Sequence, residues 1–470
     1  MNIRFQLKYF IALLFFNFYS ALLNAQSIQD ILSSSFNALS KDTCLTNASI
    51  SFCLLNQKNG KIIYSKNKDK LLAPASTLKT FTTATALEVL GENFQYKTKI
   101  VFKGEIKNKI AYGTLLIFGS GDPSLGSDRF ESTKPNTVFK QIELALQNKG
   151  IDKIIGDIQV DKKIFIDESI NKGWLDEDIG NYYGAGIYPL NWRENKFEIN
   201  LAPTKNSFIV SSNTAGYNNE KDFCIELVHK DGASTEEAFA YIETEKTCKY
   251  NIKGVLSNKL PIQNMQLARL NPENDFIKEL ISYLKKQKKF EETLIKKSNQ
   301  EMEITTILSP PLSKLVYWCN QKSINLYAES FCKTLAVHFF KQGSWKLGIS
   351  VMSRYAKSLG LSAENISLKD GSGLAPENRI TTYILSSLLY HTKNKSFFST
   401  FYESLPSING LIMKSGYIGG TRSYAGYINL KDNIEGVFAF IIHGYTCSPK
   451  QVKIKMFQLL DKIKSTQNSK

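Results

Sequence analysis

The feature that most constrains the fold is the placement of apolar strands at the two ends of a long chain. A hairpin is predicted near the front, where strands at 49–55 and 61–64 flank the turn NQKNG. Two further apolar strands, SYAGYINL and EGVFAFIIHGY, come only near the end, separated by a turn at 431–433. These distant segments form one sheet if the two ends of the chain meet.

The middle of the chain carries different patterns. After Gly91, alternating segments such as KTKIVF and GTLLIF predict strands, and 197–255 is again rich in strand patterns. Near Asn271 the pattern changes from strands to an amphipathic helix. Pro310 and Pro311 then precede two further predicted helices. A large β-rich insertion therefore interrupts a mixed α/β protein.

The first 25 residues predict an export signal. Arg4 and Lys8 precede an apolar run, and Ala25 offers a small residue for cleavage. Asn17 and Ser20 interrupt that run, which is shorter than the roughly 20 apolar residues of a membrane span. We therefore expect an exported protein of the periplasm or cell envelope, with no transmembrane anchor after signal cleavage.

Cysteine and histidine usage argues against a disulfide scaffold and a metal site. The seven cysteines are scattered, and Cys224 and Cys248 flank a predicted strand pair that a disulfide would bridge in an oxidising compartment. An odd count leaves at least one free thiol. Since no CxxC, HxxH or HExxH spacing occurs, a zinc hydrolase is disfavoured and no metal or cofactor is predicted.

The formal net charge of +16 is spread along the chain in short lysine pairs with interleaved acids. Such a pattern is typical of a solvated surface, and in an exported protein it favours attraction to an anionic envelope polymer. Nucleic-acid binding ranks last, because the export signal and the dispersed lysines both oppose it. Oligomeric state is not predicted.

The stretch APASTLKTFTTATAL contains the first candidate site. Ser76 and Lys79 share one helix face at a spacing of i and i+3, and Pro74 places Ser76 near the helix start. The positive end of the helix dipole favours negative charge on the serine oxygen. A lysine in apolar surroundings has its neutral form favoured, and a neutral amine takes the proton of a serine.

Spacing alone does not distinguish this site. The SxxK pattern also begins at Ser65, Ser169, Ser282 and Ser330. What favours Ser76 is its context at an apolar helix start and two later motifs in order. These motifs are SIN from Ser323 to Asn325, at a helix boundary, and KSG from Lys414 to Gly416, at the start of an apolar strand pair.

Four blocks together resemble the class C low-molecular-mass penicillin-binding proteins, the D-alanyl-D-alanine carboxypeptidase/endopeptidase family of peptidoglycan hydrolases. They are APASTLKTFTTATAL, SPPLSKLVYWCNQKSINLYAESF, DGSGLAPENRIT and KSGYIGGTRSYAGYI. The gap between Ser76 and Ser323 is far longer than in compact serine β-lactamases. In the family, accessory domains fill this gap.

The resemblance implies a discontinuous α/β (α+β) catalytic domain of the β-lactamase/transpeptidase type with large β-rich inserted accessory domains. We assign residues 1–25 to the signal, 26–95 to the first catalytic part and 96–267 to the insertion. Residues 268–470 form the second catalytic part, which carries the SxN and KSG motifs.

The resemblance also implies roles for individual residues. Ser76 is the acylating nucleophile and Lys79 the general base. Ser323 relays a proton to the leaving amine, and Asn325 holds the substrate amide or Lys79. Lys414 and Ser415 bind the terminal carboxylate of a peptidoglycan stem peptide.

Gly416 and Tyr417 complete the expected substrate-binding strand. The backbone N–H groups of Ser76 and Tyr417 form the oxyanion hole, and β-lactam antibiotics acylate Ser76 as inhibitors. Tyr417 departs from the family pattern, because a small hydroxyl residue is common there. The DGSGLAPENRIT block from Asp370 is expected to pack beside the site without a chemical step.

Two other functions use the same scaffold. A β-lactamase performs the same acylation but turns penicillin over rapidly, and a non-catalytic envelope or penicillin-binding protein keeps the fold without the chemistry. A hydrolase of the nucleophile-elbow type is disfavoured, because no GxSxG occurs. Arg422 is a weak candidate for carboxylate binding, and His443 is expected to be a packing residue.

Overall fold

The computed structural model describes residues 27–204, 208–212, 214, 217, 220–229, 238–243, 248–256, 262–293 and 300–465. The predicted export signal at 1–25 lies outside the described residues. Among the helices that the structure describes, none combines the length and the apolar character needed to cross a bilayer.

The helices are numbered in chain order within the described residues. They are α1 (Ile28–Ser40), α2 (Leu78–Leu90), α3 (Pro135–Asn148), α4 (Asp176–Ile179), α5 (Pro272–Lys286), α6 (Leu312–Gln321), α7 (Asn325–Phe340), α8 (Trp345–Ser358), α9 (Thr382–Thr392), α10 (Phe398–Ser404) and α11 (Pro449–Ile463).

The strands are numbered in the same way. They are β1 (Ser49–Asn56), β2 (Ile62–Lys66), β3 (Lys97–Lys107), β4 (Ile110–Phe118), β5 (Lys153–Asp161), β6 (Lys196–Pro203), β7 (Phe208–Ser211), β8 (Phe223–His229), β9 (Ala238–Ile242), β10 (Tyr250–Leu256), β11 (Gln263–Ala268), β12 (Phe290–Glu292), β13 (Glu301–Leu308), β14 (Ile366–Ser367), β15 (Arg379–Ile380), β16 (Ser407–Ile408), β17 (Leu411–Ile418), β18 (Thr421–Asn429) and β19 (Glu435–His443).

The central sheet joins the two ends of the chain, as the sequence predicts. Its strand order is β16-β17-β18-β19-β1-β2, and β1 pairs antiparallel with β19 from Ser49↔His443 to Asn56↔Gly436. A disulfide between Cys44 and Cys447, with Cα atoms 5.3 Å apart, closes the same end of this pair. Sequence reasoning missed this disulfide, because the two cysteines are 403 positions apart and no local pattern links them.

Both faces of the central sheet are covered, so β19 is apolar at nearly every position. Phe438, Phe440 and Ile442 of β19 belong to the core under α1 and α11. Their neighbours Val437, Ala439 and Ile441 belong to the larger core formed with α2 and α6 to α10. The period of two along the strand thus divides one continuous apolar run between two cores.

The interrupting region builds three further sheets. A five-stranded sheet has the order β12-β5-β4-β3-β13, and two three-stranded sheets have the orders β8-β10-β9 and β11-β6-β7. The Cys224–Cys248 disulfide lies at β8 and just before β10, and confirms the pairing suggested by the sequence. The remaining cysteines, Cys53, Cys319 and Cys332, are buried free thiols.

The boundary predicted between the insertion (96–267) and the second catalytic part (268–470) separates strands that belong to the same five-stranded sheet. Strands β12 and β13 lie in the same sheet as β3, β4 and β5. Helix α5 contributes its buried residues Phe276, Leu280 and Leu284 to the core of that sheet. We therefore propose that the insertion extends to Leu308, and that the second catalytic part begins with α6.

Candidate active site

Ser76 lies in a short 3₁₀ turn, Ala75–Thr77, that leads directly into α2. Ala75 has φ +47, in the left-handed region that non-glycine residues seldom adopt, and such strain is common at functional turns. The sequence predicts apolar surroundings at this helix start, and α2 is buried on all sides from Leu78 to Leu87. Some of its threonine hydroxyls bond within the helix, as where Thr83 donates to the Lys79 carbonyl, whereas Thr82 donates to the Gly371 carbonyl of a neighbouring segment.

Lys79 is fully buried and makes three hydrogen bonds. Its Nζ lies 3.0 Å from Ser76 Oγ, 2.6 Å from Asn325 Oδ1 and 2.9 Å from the Ser372 carbonyl oxygen. Burial lowers the pKa of Lys79 to about 8, although nearby Cys319 and Glu329 oppose the shift. About a tenth of Lys79 is therefore neutral at pH 7, far more than for an exposed lysine.

Ser323 and Asn325 lie where α6 gives way to α7. Ser323 has φ +56 and occupies the tight turn, and Asn325 is the first residue of α7. The amide of Asn325 is oriented from the insertion, because its Nδ2 donates to the Tyr183 carbonyl oxygen at 2.7 Å. Its Oδ1 therefore faces Lys79.

Lys414 connects the KSG strand to Ser323. Its Nζ donates to Ser323 Oγ and to the Ser415 carbonyl oxygen, both at 2.9 Å. Burial, together with the adjacent charge of Lys79, lowers the pKa of Lys414 to about 7. The structure thus brings together the two lysines, Ser76, Ser323 and Asn325, which come from three separate sequence motifs.

Strand β17 lies directly against the Ser76 turn because residue 416 is glycine. A Cβ atom at Gly416 would lie 2.8 Å from Ser76 N and 2.8 Å from Pro74 O, closer than real Cβ contacts allow. Ser423 on the neighbouring strand β18 donates to the same Pro74 carbonyl at 2.6 Å. The backbone of the strand at Gly416 therefore lies directly against the backbone of the turn, with the small Ser423 hydroxyl beside the contact.

The remaining predicted residues lie along β17 and its partner strands. Ser415 is half-buried and the Tyr417 side chain is exposed. Arg422 lies over the Tyr417 ring, 5.5 Å from its centroid, and makes no ion pair within the described part of the chain. His443 Nδ1 lies 2.6 Å from Thr421 Oγ1 in a cross-strand contact, which agrees with a packing role.

Sequence reasoning missed three groups in or beneath the site. The Ser372 carbonyl bonds Lys79, the Tyr183 carbonyl bonds Asn325, and the Glu329 carboxyl group lies fully buried one turn after Asn325 on α7. Two of these act through backbone carbonyls, which leave no mark in residue type. Glu329 is the exception, since an acidic residue within the apolar pattern LYAESFCKTLAV is a detectable signal.

A family model described as D-Ala-D-Ala carboxypeptidase 3 (S13) matches residues 32–463. Among curated relatives, D-alanyl-D-alanine carboxypeptidase DacB of Haemophilus influenzae is 25% identical over 441 residues, which cover 88% of this chain and 89% of the relative. A D-alanyl-D-alanine carboxypeptidase of Actinomadura sp. is 22% identical over 405 residues, covering 82% of this chain and 71% of the relative.

Solved structures show the same fold. Penicillin-binding protein 4 (dacB) from Haemophilus influenzae aligns with a TM-score of 0.76 at 22% identity, covering 92% of this chain and 98% of that chain. The same protein complexed with a β-lactam aligns with a TM-score of 0.70 at 20% identity, covering 92% of this chain and 98% of that one.

Proposed function

The chain belongs to the D-Ala-D-Ala carboxypeptidase 3 (S13) family and is a serine-type D-alanyl-D-alanine carboxypeptidase, and we propose that Ser76 is its acylating nucleophile. The observation that supports this assignment most directly is the 3.0 Å contact between Ser76 Oγ and the buried amine of Lys79. In the proposed reaction a peptidoglycan stem peptide loses its terminal D-alanine.

The first step is attack of Ser76 on the carbonyl between the two D-alanine residues. Neutral Lys79 accepts the hydroxyl proton as the Ser76 oxygen forms its bond to the carbonyl carbon. The N–H groups of Ser76 and Tyr417 stabilise the developing oxyanion, which is consistent with the close approach of β17 at Gly416. One such donor contributes about 3 to 4 kcal/mol where its removal has been measured.

Collapse of the tetrahedral intermediate breaks the peptide bond and releases D-alanine. Its amine needs a proton, and Ser323 supplies one while Lys414, bonded to Ser323 Oγ at 2.9 Å, replaces it. Water then attacks the acyl-enzyme and gives a proton through Ser323 to Lys414, which is now neutral. Protonated Lys79 returns its proton to the departing Ser76 oxygen, and this restores the starting state. Lys414 and the Ser415 hydroxyl also bind the terminal carboxylate of the substrate, and this contact holds Lys414 in its charged form.

A β-lactam carries a strained amide in place of the scissile bond, so the same steps give a penicillin-inhibited acyl-enzyme at Ser76. We further propose that residues 1–25 export the protein and that it acts in the periplasm or cell envelope. This location is where its peptidoglycan substrate lies.

The test is digestion of purified peptidoglycan with wild-type protein and Ser76→Ala, followed by mass analysis of the products. We expect loss of one alanine per stem peptide with the wild type only. Ser330→Ala is a matched control, because Ser330 also begins an SxxK spacing but its buried hydroxyl has no hydrogen-bond partner among the described residues. Product formation that survives Ser76→Ala contradicts the assignment.

Two further readouts separate the related functions. Loss of crosslinked dimers marks additional endopeptidase activity, whereas rapid turnover of penicillin marks a β-lactamase. A protein that does not label with fluorescent penicillin at Ser76 is a non-catalytic member of the scaffold. We expect a long-lived labelled species.

A further inference from the structure

Two carboxyl groups lie buried beneath the proposed site, and the proposed mechanism does not use them. Glu329 on α7 and Asp370 after β14 both have no exposed surface. Removing a carboxylate from water is costly unless hydrogen bonds replace the lost hydration. Their hydrogen-bond partners therefore indicate what the two groups are for.

Glu329 binds the backbone of the segment that touches Lys79. Its Oε1 accepts from the Ser372 N–H at 2.7 Å, and its Oε2 accepts from the Gly371 N–H at 2.9 Å. The indole N–H of Trp345 also donates to Oε2 at 2.7 Å. The carboxyl group is thus anchored by a rigid side chain while it holds two consecutive amides.

Asp370 holds the other end of the same segment. Its Oδ1 accepts from the Gly373 N–H and from Asn378 Nδ2, both at 2.8 Å. Its Oδ2 accepts from the Ala375 N–H at 2.6 Å and from the indole N–H of Trp174 at 3.0 Å. Trp174 belongs to the insertion, so part of this support comes from outside the catalytic region.

The segment held in this way is pressed against the nucleophile turn. Gly373 has φ +87, and a Cβ atom there would overlap the Ala75 carbonyl group next to Ser76. The Ser372 carbonyl oxygen lies 2.9 Å from Lys79 Nζ. Residues 371–373 consequently have little freedom to move away from Lys79.

The Ser372 carbonyl affects how the neutral Lys79 amine is oriented, because that amine has only two hydrogens to donate. A neutral amine has two N–H groups and one lone pair. Asn325 Oδ1 and the Ser372 carbonyl oxygen can only accept hydrogen bonds, so they occupy both N–H groups. The lone pair then has one remaining neighbour within hydrogen-bond distance, the Ser76 hydroxyl at 3.0 Å.

We infer that Glu329 and Asp370, anchored by Trp345 and Trp174, are positioning residues that hold the Ser372 carbonyl against Lys79 and so direct its lone pair at Ser76. This inference rests on the proposed function of Ser76 and Lys79. It extends the machinery of acylation to two carboxyl groups that touch neither substrate nor nucleophile, and to an indole from the insertion.

The first test removes one indole N–H. Trp174→Phe keeps an aromatic ring in the core but deletes the donor to Asp370. Trp192→Phe is the matched control, because Trp192 is equally buried in the insertion and its indole N–H has no hydrogen-bond partner among the described residues. We expect the second-order rate of acylation by fluorescent penicillin to fall about 5- to 100-fold in Trp174→Phe only.

The second test changes charge as well as geometry. Lys79 is faced by Cys319 from α6, Glu329 from α7, Asp370 from its loop and Lys414 from β17. Burial raises the pKa of Glu329 to about 7, so its charge is present above that pH and favours protonated Lys79. In Glu329→Gln we expect slower acylation together with an acid limb of the pH profile that moves to lower pH.

The outcomes separate this inference from the proposed function. If wild-type protein is not labelled at Ser76, the proposed function fails. If the wild type is labelled but Trp174→Phe and Trp192→Phe acylate equally fast, the positioning role is wrong. Glu329→Gln could also lower thermal stability and the acylation rate while the acid limb of the pH profile stays where it is. Glu329 would then have only a structural role, and this result also overturns the inference.

Discussion

In the proposed mechanism the protonation of Lys79 and Lys414 decides the chemistry, because both are buried and each affects the other. Burial lowers the pKa of Lys414 to about 7 and that of Lys79 to about 8. In such a pair the two protons leave in macroscopic steps that belong to the pair rather than to one residue. The proposed reaction uses the one-proton form in which Lys79 is neutral and Lys414 is charged, and the substrate carboxylate favours this form because it stabilises the charge on Lys414.

We therefore predict a bell-shaped pH dependence of kcat/KM for a peptide ending in D-Ala-D-Ala. Activity rises with pH as the first proton leaves, with an apparent value near 7, and falls as the second leaves, with an apparent value near 8. Steady-state rates between pH 5 and 10 measure the profile. A rate that does not change over this range contradicts the assignment of Lys79 as base.

Gly416 supports a second prediction at the scale of one residue. In Gly416→Ala the new methyl group meets Ser76 N and Pro74 O at 2.8 Å, so β17 must move away from the nucleophile turn. We expect acylation to fall by at least about 10-fold and the free energy of unfolding to fall by about 1 to 3 kcal/mol.

Gly419→Ala is the control for this substitution, since a Cβ atom at Gly419 meets nothing within 4 Å. Penicillin labelling rates and thermal unfolding of both variants provide the measurement. Equal rates in the two variants show that the close approach of β17 is not needed.

At the scale of elements, what the sequence reveals depends on whether a signal is local. Ser76, Lys79 and Lys414 are identifiable because each lies in a short motif on one element, although their catalytic roles stay predictions. The Tyr183 and Ser372 carbonyls are not identifiable, since they reach the site through folding and any residue type supplies the same oxygen. The proposed end of the insertion at Leu308 has no local signal for the same reason, because β13 pairs with β3 across a long stretch of chain.

The terminal helices α1 and α11 give a prediction about stability. They cover one face of the central sheet. The Cys44–Cys447 disulfide joins the segment that follows α1 to the segment that precedes α11. The double variant Cys44→Ser/Cys447→Ser is expected to lose about 2 to 5 kcal/mol of unfolding free energy. Acylation at 25 °C is expected to change little, because the proposed catalytic residues lie with the helices of the opposite face.

Thermal unfolding and penicillin labelling of this double variant measure the two effects. The corresponding change at Cys224 and Cys248 is the comparison, since that disulfide lies among the strands of the insertion. If the Cys44→Ser/Cys447→Ser protein unfolds at the wild-type temperature, the disulfide does not stabilise the central sheet.

At the scale of the whole molecule, the insertion and the charge both bear on how the enzyme meets its substrate. The insertion contacts the site through Tyr183 and Trp174, so it is more than a spacer. The net charge of +16 is dispersed, which favours a general attraction to an anionic polymer over a specific anion site.

We predict that binding to cell-wall preparations that carry anionic polymer weakens as the salt concentration rises from about 0.05 to 0.5 M, because salt screens exposed charges. Cleavage of a short soluble D-Ala-D-Ala peptide is expected to change much less, since its contacts lie in a buried site. Sedimentation with the insoluble wall material measures the first quantity. Binding that is insensitive to salt shows that the dispersed charge plays no part.

The pairing of β1 with β19 also sets the order of events when the protein is made. Strand β1 precedes Ser76 in the chain, whereas its partner β19, which ends at His443, is synthesised long after Ser76. The strand that carries Lys414 and faces Ser76 arrives just before β19. A growing chain consequently carries Ser76 without the strand that faces it until β17 has been made, and the arrangement around Ser76 forms only after that.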